Sequence, residues 1–226
     1  MREGHISKAF DGELAALHIR VLEMGGLVLD QVREATRAYV DWDAHAAQLV
    51  IEREQQVVRY TAAVYDDQLG LIARRNPVAS DLRAIISLAK IGAELDRAGA
   101  ESRKIARTVL QQGGRPERGT STDARHLARL AYSLLRQSLE ALDGIDAEMA
   151  DTVIDHDQDL DSEYAAGLRR LLSRAMENPA RIDTTVEAAF VLKALERIGD
   201  HARNVSQQVA AIAARPVPRS SKLDPA

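Results

Sequence analysis

The chain repeats itself once at an interval of about 100 residues, and this constrains its fold more than any other feature. Asp43 to Glu54 reads D-A-H-A-A-Q-L-V-I-E-R-E. Asp146 to Asp157 reads D-A-E-M-A-D-T-V-I-D-H-D, so that Asp, Ala, Ala, Val and Ile coincide at an offset of 103. Asn76-Pro77 recurs as Asn178-Pro179 at an offset of 102, and D-R-A-G-A-E from Asp96 aligns with E-R-I-G-D-H from Glu196 at 100. Three matches in the same order at nearly one offset are hard to obtain by chance. The period is too long for a solenoid unit, so a whole bundle has been duplicated.

Each copy reads as three helices. From Ile6 to about Val40, Leu14, Leu17, Val21, Met24, Val28 and Val32 recur at helical spacing. Asp43 is a natural N-cap for a second helix reaching about Arg74. Asn76-Pro77 should break it, because a residue before proline avoids the α region. Pro77 or Ser80 then opens a third helix to about Gln112. The second copy follows: about Asp123 to Leu142, Asp146 to Met176, and Pro179 or Asp183 to Ala214. The fold class is therefore all-α, with two tandem, similar three-helix bundles. Residues 1–112 form the first repeat, 113–121 a Gly-rich linker, 122–214 the second repeat, and 215–226 a polar, proline-broken tail expected to be disordered.

Composition narrows the function. Aromatics are only 4% of the chain, so Ala, Leu, Val and Ile must fill the core. There is no cysteine, which excludes thiol catalysis, thiolate metal sites and disulfides. A net charge of −4 gives no basic footprint for nucleic acid. No apolar run approaches a membrane span, and M-R-E-G-H-I-S lacks the apolar stretch of a signal peptide, so the chain reads as cytoplasmic. No nucleophile–base constellation or phosphate loop is present.

The chemistry lies in acids at helical spacing. Glu196 and Asp200 fall one turn apart in A-L-E-R-I-G-D-H-A-R-N, residues 194–204, and Asp157 and Asp161 do so one helix earlier. A carboxylate-only site suits Mg²⁺, Mn²⁺, Ca²⁺ or iron better than Zn²⁺. The plainer reading is a solvated acidic face salt-bridged to Arg197 and Arg203, and spacing alone favours it. D-H-D-Q-D-L-D-S-E, residues 155–163, fails as a calcium loop because Leu160 stands where a glycine is needed. His156 and His201 each lie one position off an acid pair and are expected to be solvated. A mid-helix Gly199 costs about 1 kcal/mol against Ala, and close helix packing is the usual reason.

H-I-S-K-A-F-D-G-E-L at the start, A-R-R-N-P-V-A-S-D-L-R at 73–83 and A-L-E-R-I-G-D-H-A-R-N together resemble the PhoU family, over about residues 5–212. The resemblance implies two three-helix bundles without catalytic activity. It implies an adaptor between the ATPase of a phosphate ABC transporter and a membrane sensor histidine kinase, which keeps the starvation response off in plentiful phosphate and restrains uptake. The protein would be a cytoplasmic homodimer recruited to the inner membrane face by its partners. Family members bind metal through E/D-x-x-x-D pairs. Asp157, Asp161, Glu196 and Asp200 match those positions, and Asn204 extends the same face. The first repeat keeps only Glu54 and Asp96, with Val58 and Ala100 at the trailing positions, so its site is degenerate. Glu101 lies beside the lost position but points elsewhere on the helix. A divalent or trivalent metal is expected at the second repeat. Two alternatives are a ferritin-like di-iron protein and a metal-free helical scaffold. The ferritin site needs Glu-x-x-His pairs, but Val153 and Ile198 stand three residues before His156 and His201.

Overall fold

In a computed structural model the described residues are 3–77, 79–111, 116 and 118–214. They form six α-helices and one 3₁₀ turn: α1 Glu3–Asp41, α2 Ala44–Arg75, α3 Ala79–Gln111, α4 Arg118–Gly144, α5 Ala147–Glu177, the 3₁₀ turn Pro179–Arg181 and α6 Ile182–Ala213. The chain is all-α, as the periodicity requires. The expected tail, 215–226, and the linker residues 113–115 and 117 lie outside the described residues.

The helix ends follow from local chemistry. Asp43 caps α2 by accepting from the Ala46 amide, and Asp146 caps α5 by accepting from Glu148 and Met149. Just before each cap, Trp42 and Ile145 take positive φ. The Asp43 amide donates back to the Ala38 carbonyl at 2.9 Å, and the Asp146 amide to Ala141 at 2.8 Å. This is the six-to-one closure of a Schellman turn, made twice without glycine. The two Asn-Pro breaks differ. Asn178 stays out of the α region at φ −141°, ψ 85°, as expected before proline, whereas Asn76 is left-handed at φ 48°, a conformation that asparagine tolerates.

One boundary departs from expectation. Helix α4 starts at Arg118, ahead of Asp123. Asp123 caps nothing; its carboxylate is held by Arg170 at 2.8 Å and Arg174 at 3.0 Å from α5. Packing draws the preceding residues into the helix, with Thr120 buried.

Helices α1, α2 and α3 pack on one another, as do α4, α5 and α6. The bundles join through α1 on α4 and α3 on α6. Both joints are antiparallel. His18 of α1 reaches the Leu142 carbonyl at the far end of α4, and Glu94 of α3 reaches His201 of α6 while Glu101 reaches Arg197. The outer helix α2 buries a narrow stripe, Val50, Val57, Val64 and Leu71. Helix α6 has neighbours in α3, α4 and α5, so residues round most of its circumference are buried. Leu17, Val21, Met24, Val28 and Val32 of α1 are fully buried, as their spacing requires. No described helix is long and apolar enough to cross a membrane.

Candidate functional site

The second-repeat acids sit on α5 and α6 where the two helices approach closely. Gly199 permits this: a Cβ there would overlap Leu160 Cδ2 and lie 3.5 Å from Asp157 Oδ1. Close packing is thus the reason for the mid-helix glycine. Asp157 occupies the buried stripe of α5 between Val153 and Leu160, and is 2% exposed. Glu196 is also buried, Asp200 half-buried and Asp161 exposed.

Two cations hold part of this set. Arg203 bridges Asp157 at 2.6 Å and Asp200 at 3.1 Å. Lys193 reaches Glu196 at 2.6 Å with its ammonium 5.3 Å from the Tyr164 ring centre. The other oxygens, Asp157 Oδ1 and Glu196 Oε2, are buried with no hydrogen-bond partner among the described residues. Burial pushes the Asp157 carboxyl above its ordinary value, Arg203 opposes the rise, and the charges of Asp161 and Asp200 add to it. Burial likewise raises Glu196; Lys193 opposes, and Asp200 and Asp161 add. Asp161 and Asp200 thus act on both buried acids. Among the described residues no three acidic or histidine side chains converge as ready metal ligands.

The plain reading of a solvated, Arg-bridged face needs correction. Asp157 and Glu196 are buried, and Arg197 leaves the cluster to pair with Glu101 of α3 at 3.2 Å. Only Arg203 bridges as expected. His156 is exposed, but His201 is buried: its Nδ1 lies 2.8 Å from Glu94 Oε2 and its Nε2 has no partner among the described residues. Asn204 does not extend the acid face; its amide donates to the same Glu94 oxygen at 3.0 Å. Glu101 does point elsewhere, into the joint between bundles, where it is buried and also held by Lys104 at 2.8 Å. Burial alone would raise the Glu94 carboxyl. The hydrogen bonds from Asn204 and His201, with the charges of His201 and Arg97, outweigh it and hold the group below its ordinary value. These α3–α6 contacts were hidden in the sequence because the partners lie more than 100 residues apart.

The first repeat retains half of the pattern. Arg103 pairs with Glu54 at 2.8 Å, the counterpart of Arg203 with Asp157. Asp96 Oδ1 lies 3.2 Å from the Thr61 hydroxyl. Val58 is exposed and Ala100 half-buried, and neither has a ligand atom to offer.

A family model described as PhoU domain matches residues 21–109 and again 124–209. The chain is 39% identical over 207 residues to the phosphate-specific transport system accessory protein PhoU homolog of Pseudomonas putida, covering 91% of this chain and 80% of the relative. It is similar to the crystal structure of PhoU from Pseudomonas aeruginosa, with a TM-score of 0.86 and 36% identity over 90% of this chain and 98% of that one. It is also similar to the phosphate transport system regulatory protein PhoU from Streptococcus pneumoniae, with a TM-score of 0.83 and 26% identity over 90% and 96% of the two chains.

Proposed function

The chain belongs to the PhoU family, and on that premise we propose that it regulates phosphate uptake as an accessory of a phosphate transport system. It is not an enzyme; its relatives are named as accessory and regulatory proteins. What supports the reading is the match of both halves to one domain model, in a chain that spans most of each relative's length. The finer form of the proposal is an adaptor in the cytoplasm. It sits between the transporter ATPase and a sensor histidine kinase, acts as a homodimer recruited to the inner membrane face, and silences the starvation response when phosphate is plentiful.

A metal belongs to the same proposal. The donor set in the second bundle fits a hard cation. It is all carboxylate, and Asp157 Oδ1 and Glu196 Oε2 are buried without a partner among the described residues. Asp157, Asp161, Glu196 and Asp200 would hold Mg²⁺, Mn²⁺ or iron. The ion's charge would offset the burial, and the added charge of Asp161 and Asp200, that raise Asp157 and Glu196. Arg203 and Lys193 neutralise part of the cluster from its edges.

The test is genetic and biochemical. Deletion of the gene should leave a phosphate-starvation reporter on in rich phosphate. The purified full chain should retain the transporter ATPase and the kinase in a pull-down. A silent reporter in the deletion strain, with no paralogue present, would overturn the regulatory reading. Retention of neither partner would overturn the adaptor.

A further inference from the structure

The seam between α1 and α4 has two ends that the duplication relates. At one end Leu139 of α4 lies directly on Gly25 of α1, where a Cβ would overlap it. Half-buried Leu22 and Leu29 flank this contact. That end is packed and apolar.

The matching turns at Trp42 and Ile145 fix an offset of 103 between α1 and α4. Applying it to each residue generates the other end of the seam. Leu139 becomes Thr36, and Gly25 becomes Ala128. Leu22, Gly26 and Leu29 become Arg125, Arg129 and Tyr132. The Thr36 hydroxyl donates to the Val32 carbonyl at 2.8 Å, turning back on its own helix, so nothing fills the place that Leu139 fills opposite. The result is a hollow of about 290 Å³, with Val32, Thr36 and Ala128 among its walls and Arg125, Arg129 and Tyr132 around them.

The guanidiniums around it are short of carboxylates. Arg33, which also lines the hollow, is satisfied by Asp30 at 2.7 Å and Glu34 at 3.3 Å. Among the described residues Arg129 hydrogen-bonds only to His126, at 3.4 Å. Arg125 makes no ion pair or hydrogen bond among the described residues. The acids that could have answered them are taken: Asp123 by Arg170 and Arg174, and Glu163 by His126 and Arg170. Arg125 and Arg129 lie one helical turn apart, so they face the same way and repel. Two unanswered guanidiniums beside an apolar hollow, in a chain of net charge −4, form a place for an anion.

We propose that this hollow binds a small organic anion. Its oxyanion head is held by Arg125 and Arg129, whose planar forks suit phosphate and carboxylate alike. Its body rests on half-buried Tyr132 and the edge of Ala128, above buried Val32. The volume is at the lower limit for small-molecule pockets and admits a body of about one ring. Inorganic phosphate would leave that apolar surface uncovered and is the weaker ligand. The proposal goes beyond the regulatory reading and does not depend on it.

The test uses the purified full chain and isothermal titration with phenyl phosphate, benzoate, inorganic phosphate and phenol. Phenyl phosphate or benzoate should bind at least tenfold tighter than either inorganic phosphate or phenol, and the comparison of the two identifies the preferred head. Thr36→Leu copies the packed end of the seam. It should weaken binding at least tenfold while leaving the melting temperature unchanged or higher. Arg125→Ala combined with Arg129→Ala, both at exposed helical positions, should weaken it to the same degree. Unchanged affinity in Thr36→Leu or in the double variant, or inorganic phosphate binding as tightly as phenyl phosphate, would overturn the proposal.

Discussion

Trp42 and Ile145 take the same left-handed backbone conformation, φ 60° and 49°, 103 residues apart in the two halves of the chain. A β-branched residue pays most for that conformation, roughly 1–2 kcal/mol. Ile145→Gly removes the strain and loses only a partly exposed side chain. It should raise stability by about 1 kcal/mol in urea unfolding. Trp42→Gly should instead destabilise, because Trp42 packs edge-on against buried Tyr39 with ring centres 6.0 Å apart.

Two glycines make a paired test of helix packing. Gly26 faces open space, and Gly26→Ala should stabilise by about 1 kcal/mol through helix propensity. Gly199 lies under buried Leu160, whose side chain a Cβ would overlap and force to shift. Gly199→Ala should cost about 1–3 kcal/mol despite the same gain in propensity. Thermal unfolding of both variants reads the opposite signs.

Glu94 holds the joint between bundles through a carboxyl kept below its ordinary value of 4.5. Its contribution is present above the unfolded-state value and fades as pH falls through the lower folded-state value. Glu94→Gln should therefore cost about 1–2 kcal/mol at pH 7, with the difference from wild type shrinking well below pH 4.5. Urea titrations at both pH values measure it. A cost independent of pH would show that shape rather than charge matters there.

Arg203 is the chief answer to the buried charge of Asp157. Arg203→Met should destabilise by about 2 kcal/mol at neutral pH by leaving that carboxylate uncompensated. Adding Asp157→Asn should recover most of the loss, since it is the charge, not the volume, that lacks a partner. A double variant no more stable than Arg203→Met would refute this account.

If the second-bundle acids hold a metal as proposed, titration of Mn²⁺ should show it. Asp200→Ala should lose binding, and Asp96→Ala should keep it. The ion should raise the melting temperature of wild type by mass action and leave Asp200→Ala unmoved. Loss of binding in Asp96→Ala alone would reverse the assignment.

The helices and their caps were legible in the sequence because their causes are local. Asp43 and Asp146 each reach amides within three residues, and each Asn-Pro acts on its own backbone. The start of α4 was not legible. Asp123 has a cap's chemistry, but Arg170 and Arg174, 47 and 51 residues away, claim it. In the candidate site the acid spacing could be read, while burial could not. Asp157 looks like one of several acids on a polar stretch until α6 covers it. His201 and Asn204 have the composition of a surface, and only the arrival of α3 with Glu94 buries the first and half-buries the second.

The antiparallel joints α1 on α4 and α3 on α6 make the molecule nearly the same when turned end over end. Were the halves interchangeable, any larger body touching both could seat itself in either of two orientations. Val58 and Ala100 against Asp161 and Asp200, and Leu139 against Thr36, remove that ambiguity. The duplication supplies a long two-sided frame, and these few substitutions give it a head and a tail.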